Sequence, residues 1–393
     1  MVLRITRWQM RGWCGALAVL IASAMPKPSV AQKPADDAAL ASVFKDWRSR
    51  QNLLKSARYV LTGTTEFKDE QLPAGNPIRP RRVTLLLDLT RKRYRMEGSE
   101  DVLSHNGSDD PRNWGFRSRM YTSAYGGESL QHYTHRKANG LENDREEDLS
   151  IGKGDLGPGA QFGHELSPIF LTHGIVPTVH SMLMVDKWPL AHDPDDFDVA
   201  GRQNLRGQNC LLLRTEPSPG MTSISDEFWI NLQQQSAIHR LISFSGSNPW
   251  IRLDIYWKNT SYGWWVDHWS DTWSPNGRVR RIINFRVESF EPNPLISDSD
   301  FKLQAEPGMI VKVSEGPPLG KGLDPFKAAS RTYRVLSSGE WEEIAAKGFT
   351  TLEGKELPPE WHRRWMAWTI GGCLAIGALL FYVSRRRWKK ATL

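Results

Sequence analysis

Residue sets able to do chemistry are few in this chain, and each lacks a part that its chemistry needs. Gly152-Lys153-Gly154-Asp155-Leu156-Gly157 satisfies the G-x-G-x-x-G string that cradles a pyrophosphate. That string works when a helix follows it, and here Pro158-Gly159 come next, which favours a loop. His164-Glu165 opens like a zinc-protease helix, but Pro168 stands where the second histidine belongs. His132 and His135 are three apart in a predicted strand, so they point to opposite faces and away from a shared metal. Pro177 interrupts the helical face that His173 and His180 would share. Ser243-Phe244-Ser245-Gly246 lacks the first glycine of a nucleophile elbow. The acids of Asp193-Pro194-Asp195-Asp196-Phe197-Asp198 read as a solvated turn. These patterns predict no catalytic residue, no metal site and no cofactor.

Tryptophan is the unusual residue type. Of the 17 in the chain, Trp264, Trp265, Trp269 and Trp273 fall within one short stretch. Trp265, Trp269 and Trp273 share a strand face with Asp267 and Asp271. If that face is solvated, it is a candidate surface for a glycan or a partner protein. If it faces inward, it packs on helices and the acids need partners.

The elements that must position these residues show in the alternation. Between Asp226 and Val313, Ile251, Leu253, Ile255 and Trp257 alternate with Trp250, Arg252, Asp254 and Tyr256. Val279, Ile283, Phe285 and Val287 lie among Arg280, Asn284, Arg286 and Glu288 in the same way. A period of two marks half-buried strands, and the short Ser/Asn/Pro/Gly connections suit antiparallel neighbours. Upstream, Leu40, Val43, Phe44, Trp47 and Leu54 predict a helix over 38–56. Tyr59, Leu61, Thr65 and Phe67 begin a strand. Leu85, Leu87, Tyr94 and Met96 give a hairpin an apolar face. Further strands are expected at 115–122, 128–136, 196–201 and 209–215. Residues 138–158 read as an exposed loop. Ser167-Pro168 and Pro177 predict two short helices, at about 168–176 and 178–185. After Val313 the expected stalk, 314–361, holds one small helical piece around Trp341 to Ala346.

Charge and hydropathy place the chain. Its net charge of +7 comes from the two ends. Arg4, Arg7, Arg11 and Lys27 open the chain without an acid. Arg363, Arg364, Arg385, Arg386, Arg387, Lys389 and Lys390 end it, again without one. The body between is mildly acidic, which argues against a nucleic-acid partner. The basic start, the apolar run Gly15 to Met25 and Ser29-Val30-Ala31 predict a signal peptide over 1–31. Met366 to Val383 is free of charge and flanked by tryptophans, so a transmembrane helix is expected at 366–383 with a cytoplasmic tail over 384–393. The body is then expected in the periplasm, anchored in the inner membrane. Cys210 is the one cysteine of that body, which rules out an internal disulfide.

Taken together, these residues resemble the LolA-like superfamily of periplasmic lipoprotein carriers and envelope-stress regulators. The matching parts are Phe44-x-x-Trp47-Arg48-x-Arg50 leading into Ala57-Arg58-Tyr59, the Leu85 to Arg95 hairpin, and Ile296-x-x-x-x-Phe301-x-Leu303-x-x-x-Pro307-Gly308-x-x-Val311. The resemblance covers about residues 40–313. It implies a mainly β (α+β) fold over 32–313: a curved, unclosed antiparallel half-barrel with an N-terminal helix and short covering helices. It also implies non-enzymatic binding of a lipid or lipoprotein acyl chain, with Leu85, Leu87, Tyr94, Met96, Ile255, Ile283 and Phe285 turned inward to line the cavity. A membrane span, an insertion around 99–165 and the stalk depart from the family. A tethered chain suits lipid handling or sensing better than carriage. An interaction module using the tryptophan face is the alternative, and a hydrolase is a third reading.

Overall fold

The alternation persists along most of the chain and produces one sheet. The computed structural model describes residues 32–68, 77–104, 115–136, 146–153, 163–177, 191–215, 224–315 and 329–347. Helix α1 is Gln32–Gln51 and helix α2 is Gly163–Thr172. Strands β1 (Ser56–Phe67), β2 (Ile78–Asp88), β3 (Arg93–Ser104), β4 (Gly115–Tyr125), β5 (Ser129–Arg136) and β6 (Glu146–Lys153) lie between the helices in sequence. After α2 come β7 (Phe197–Leu205), β8 (Gln208–Thr215), β9 (Ile224–Asn231), β10 (Ala237–Ser245), β11 (Asn248–Thr260), β12 (Gly263–Trp273) and β13 (Arg281–Pro292). The last three are β14 (Ile310–Glu315), β15 (Ala329–Val335) and β16 (Trp341–Lys347).

These form a 16-stranded sheet in the order β16-β15-β14-β6-β5-β4-β3-β2-β1-β13-β12-β11-β10-β9-β8-β7. Neighbours run antiparallel except β14, which lies parallel to β6. The expected architecture holds: mainly β, curved and unclosed, with β16 and β7 left as edges. The early and late halves of the chain meet where β1 pairs with β13, Tyr59 opposite Phe290 and Thr65 opposite Ile283.

Both helices sit on one face of the sheet, the inner face. Val43, Phe44 and Trp47 of α1 are buried there, as are Leu166, Ile169, Phe170 and Leu171 of α2. Polar bonds hold α1 in place. Trp47 Nε1 donates to Ser236 O at 2.9 Å, Arg50 Nη2 donates to Gln235 O at 2.8 Å, and Ser236 Oγ donates to Asp46 Oδ2 at 2.6 Å. Helix α2 ends on Gly174, whose φ of +69° suits glycine. Gly174 N–H bonds to Leu171 O and Ile175 N–H to Phe170 O, the paired closure of a Schellman turn. That turn joins the helices directly, because Gln51 Nε2 donates to Gly174 O at 2.8 Å.

Four local expectations are corrected. The first helix runs over Gln32–Gln51, so Leu54 is buried from beyond its end. One helix, Gly163–Thr172, replaces that expected at 168–176, and Pro168 lies inside it. The helix expected at 178–185 falls outside the described residues. Glu146–Lys153, expected as loop, is a strand zipped onto β5. Trp341–Lys347 is a strand rather than a helical piece, and β15 and β16 carry the sheet well beyond Val313 into the expected stalk. No helix among the described residues is long and apolar enough to cross a membrane. The signal peptide, the span at 366–383 and the tail lie outside the described residues.

Candidate functional site

Strand register gathers the residues expected to line a cavity. Leu85 and Leu87 of β2 stand opposite Met96 and Tyr94 of β3. Four strands from β2, Ile255 of β11 is opposite Trp269 of β12, and Trp269 is opposite Phe285 of β13. Strand β1 joins the two groups through Leu61, which pairs with Val83 on one side and Val287 on the other. All seven expected lining residues, Ile283 among them, belong to one continuous apolar cluster that includes both helices. None is more than 3 % exposed. The face is apolar and helix-covered, and in this structure protein atoms fill it at these positions.

A glycine shapes its middle. A Cβ on Gly63 would meet Asn284 O at 1.9 Å and the Phe285 ring at 2.9 Å. The missing side chain lets the Phe285 ring lie over β1 with the Arg81 guanidinium 5.4 Å from its centre. Arg81 marks a change of character along the same face. Its Nη2 donates to Glu100 Oε2 at 2.6 Å, and Arg119 bonds the other oxygen of that carboxylate. Following β2 inward, the face therefore reads Leu87, Leu85, Val83 and then a buried ionic cluster.

Buried polar groups lie among the apolar ones. Tyr59 and His173 meet at 2.8 Å, hydroxyl to Nε2. Burial lowers the His173 pKa to about 3, with the Arg50 charge adding to the effect. Burial also pushes the Tyr59 phenol well up, opposed by the Trp265 indole. Elsewhere Ser243 Oγ donates to Asp226 Oδ1 at 2.5 Å, and burial raises the Asp226 carboxyl to about 7. His192 Nε2 stands 4.0 Å from Asp226 Oδ2, beyond hydrogen-bond reach. This serine donates to the acid rather than to the imidazole, the wrong order for activating a nucleophile. Among the described residues, no group of three or more His, Cys, Asp or Glu gathers as a metal site.

Of the two orientations open to it, the tryptophan face takes the inward one, so Trp265 and Trp269 are packed rather than presented to solvent. Trp265 and Trp269 are 2 % and 1 % exposed. Trp265 meets His173 edge-on at 5.4 Å and Phe290 at 4.8 Å, while Trp269 lies 5.3 Å from Phe285. Trp273 is half-buried at the margin of the same cluster. The Gly152 string continues β6 and leaves the described residues at Gly154. His132 bonds Ser123 Oγ at 2.7 Å and Thr134 Oγ1 at 2.9 Å. Asp196 caps its own turn by accepting from Asp193 N–H at 2.7 Å.

Sequence reasoning missed Arg81, Glu100 and Asp226 as inner-face residues. The signal for Arg81 was present: Arg79 and Arg81 share the parity of Val83, Leu85 and Leu87. Asp226 likewise shares the parity of Phe228 and Ile230, but only register places it beside Ser243.

No protein-family model matches the chain, and no curated protein matches it. Solved structures similar to it include a DUF1329 family protein from Desulfovibrio piger, at 11% identity and a TM-score of 0.35, covering 67% of this chain and 97% of that one. A second, described as an outer membrane lipoprotein-sorting protein domain, is from Vibrio parahaemolyticus (8% identity, TM-score 0.37, 66% and 94% covered). A third is a LolA superfamily protein from Nitrosomonas europaea (7% identity, TM-score 0.38, 67% and 97% covered).

Proposed function

We propose that this chain is a membrane-tethered extracytoplasmic binding protein whose inner sheet face takes an apolar ligand, a lipid or lipoprotein acyl chain. In this reading it serves lipid handling or sensing at the cell envelope and is not an enzyme. One observation carries the reading. Leu85, Leu87, Tyr94, Met96, Ile255, Ile283 and Phe285 fall on one continuous apolar face of an unclosed sheet whose described cover includes two short helices. Each such side chain is worth roughly 1.5–3 kcal/mol when fully buried, so the face requires a cover of protein or of ligand. Helices α1 and α2 are latched by individual polar bonds at Ser236, Gly174 and Tyr59. Bonds of that kind contribute about 1 kcal/mol each, and lifting the helices would also uncover buried Val43, Phe44, Trp47, Ile169 and Phe170, so a bound acyl chain has to re-cover the same apolar face in their place.

The tether and the exported address rest on the sequence: a signal peptide over 1–31, a span at 366–383 and a basic tail over 384–393. The body between them includes the sheet through Lys347, with a short juxtamembrane segment after it. Purifying the full chain from native membranes and extracting it for mass spectrometry tests the reading. Bound lipid in stoichiometric amount is the expected result. A chain that arrives free of lipid and takes up no fluorescent fatty acid would overturn it.

A further inference from the structure

The face of the sheet away from the helices holds a second arrangement, made by strand register alone. Two neighbouring rungs cross β11, β12, β13 and β1. One reads Tyr256, His268, Arg286, Thr62; the next reads Asp254, Ser270, Asn284, Thr64. A surface cleft of about 350 Å³ lies across them, and its lining includes the polar side chains of Thr64, Tyr256, His268, Ser270, Asn284 and Arg286.

Cationic groups stand behind one wall of the cleft, which is formed by Tyr256 and His268. Tyr256 stacks on His268, with ring centres 4.3 Å apart and planes within 10°. The Arg206 guanidinium, from the β7–β8 turn, lies 4.1 Å from the centre of the same tyrosine ring. Next to it, Asp254 accepts from three arginines at once: Arg206 Nη2 at 2.6 Å, Arg240 Nε at 2.7 Å and Arg252 Nε at 2.6 Å. One carboxylate against three guanidiniums leaves two positive charges uncompensated within the cluster. Asp267 engages His268 at 2.8 Å and Lys258 at 3.1 Å. Arg286 is exposed and makes no ion pair or hydrogen bond among the described residues.

We propose that this cleft binds a phosphate ester bearing neighbouring hydroxyl groups, as found on a sugar phosphate or on the glycerophosphate head of an anionic lipid. A guanidinium fork matches the oxygens of a phosphate and binds them with charge-assisted bonds. Arg286 supplies a free fork, and the Asp254 cluster adds a positive field beside it. Ser270, Thr64 and Asn284 offer hydroxyl and amide groups that can both donate and accept, which is what sugar or glycerol hydroxyls require. The site lies on the face opposite the apolar one and does not depend on the reading of that face.

The test uses the full chain in neutral detergent, titrated by calorimetry with glycerol 1-phosphate, inorganic phosphate, dihexanoyl phosphatidylglycerol and dihexanoyl phosphatidylcholine. Glycerol 1-phosphate should bind more tightly than inorganic phosphate, or phosphatidylglycerol more tightly than phosphatidylcholine. Binding by the lipid alone assigns the source to a membrane headgroup, and binding by both assigns it to the head chemistry itself. Arg286→Ala should weaken the preferred ligand by about tenfold or more, with Arg286→Lys recovering part of the loss. Ser270→Ala should narrow the preference over inorganic phosphate. Short-chain lipid held on the inner face instead would bind equally in Arg286→Ala and would ignore the headgroup, so the two readings fail separately. Absence of both preferences, or affinity unchanged in Arg286→Ala, would overturn the proposal.

Discussion

The Tyr59 hydroxyl and the Nε2 atom of His173 lie 2.8 Å apart, with both side chains completely buried. The pair ties the middle of β1 to the residue just past α2, and thus the sheet to part of its cover. His173 is held uncharged there, since burial takes its pKa to about 3. Tyr59→Phe would strand the imidazole without this partner. The expected loss is about 1–3 kcal/mol of unfolding free energy, measured by urea denaturation. An unchanged midpoint would show that the bond contributes nothing.

Two buried groups should bend the stability profile in opposite senses with pH. His173 has a folded pKa of about 3 against 6.5 ordinarily. Between these values the unfolded chain takes a proton that the folded chain refuses, so stability falls as pH drops from 6.5 toward 3. Asp226 is raised from 3.8 to about 7, so here the folded chain keeps the extra proton. Its contribution is full below pH 3.8 and is lost as pH rises through 7. Asp226→Asn retains an acceptor for Ser243 Oγ and removes the titration. The variant should therefore gain on the native chain as pH is raised from 4 to 8. A stability difference independent of pH would mean that the Asp226 proton is not taken up on folding.

Gly174→Ala should be among the costliest small substitutions. The new Cβ would lie 2.1 Å from Trp47 O, in a backbone at φ +69°. Backbone on both sides leaves no flexible side chain to yield. A loss of about 1–3 kcal/mol or more is expected by thermal or chemical unfolding. Earlier proteolytic cleavage near α2 should accompany it, because the bond from Gln51 to the Gly174 carbonyl is lost with the turn.

Glu100→Gln tests the ionic cluster that bounds the apolar face. The side chain of Arg81 is 2 % exposed and that of Glu100 11 %. Removing the negative charge beside a buried guanidinium is expected to cost about 3–5 kcal/mol. A double variant, Arg81→Met with Glu100→Gln, should recover much of that loss in the same unfolding assay.

Much of this architecture was legible because alternation is a local property. Ile251, Leu253 and Ile255, like Leu85 and Leu87, announce both their strands and the face they bury. Strand β6 was hidden because Glu146, Glu147 and Asp148 with two glycines nearby look like solvated loop, and only pairing with β5 makes them a strand. Strand β16 was hidden for the converse reason. Trp341-Glu342-Glu343-Ile344-Ala345-Ala346-Lys347 is rich in helix formers, and its strand state is imposed by β15, with Tyr333 and Trp341 rings 5.6 Å apart. The apolar face was readable on the same terms as the strands. The Asp254 cluster was not, since Arg206 reaches it from a turn 48 residues away in sequence.

The hairpin of β15 and β16 joins the rest of the sheet through the parallel seam between β14 and β6. Everything after Lys347 hangs from β16, an edge strand held by β15 alone among the described residues. Tension drawn through those trailing residues would reach the hairpin of β15 and β16 first and then that seam. Helices α1 and α2, and the apolar face beneath them, would feel it last.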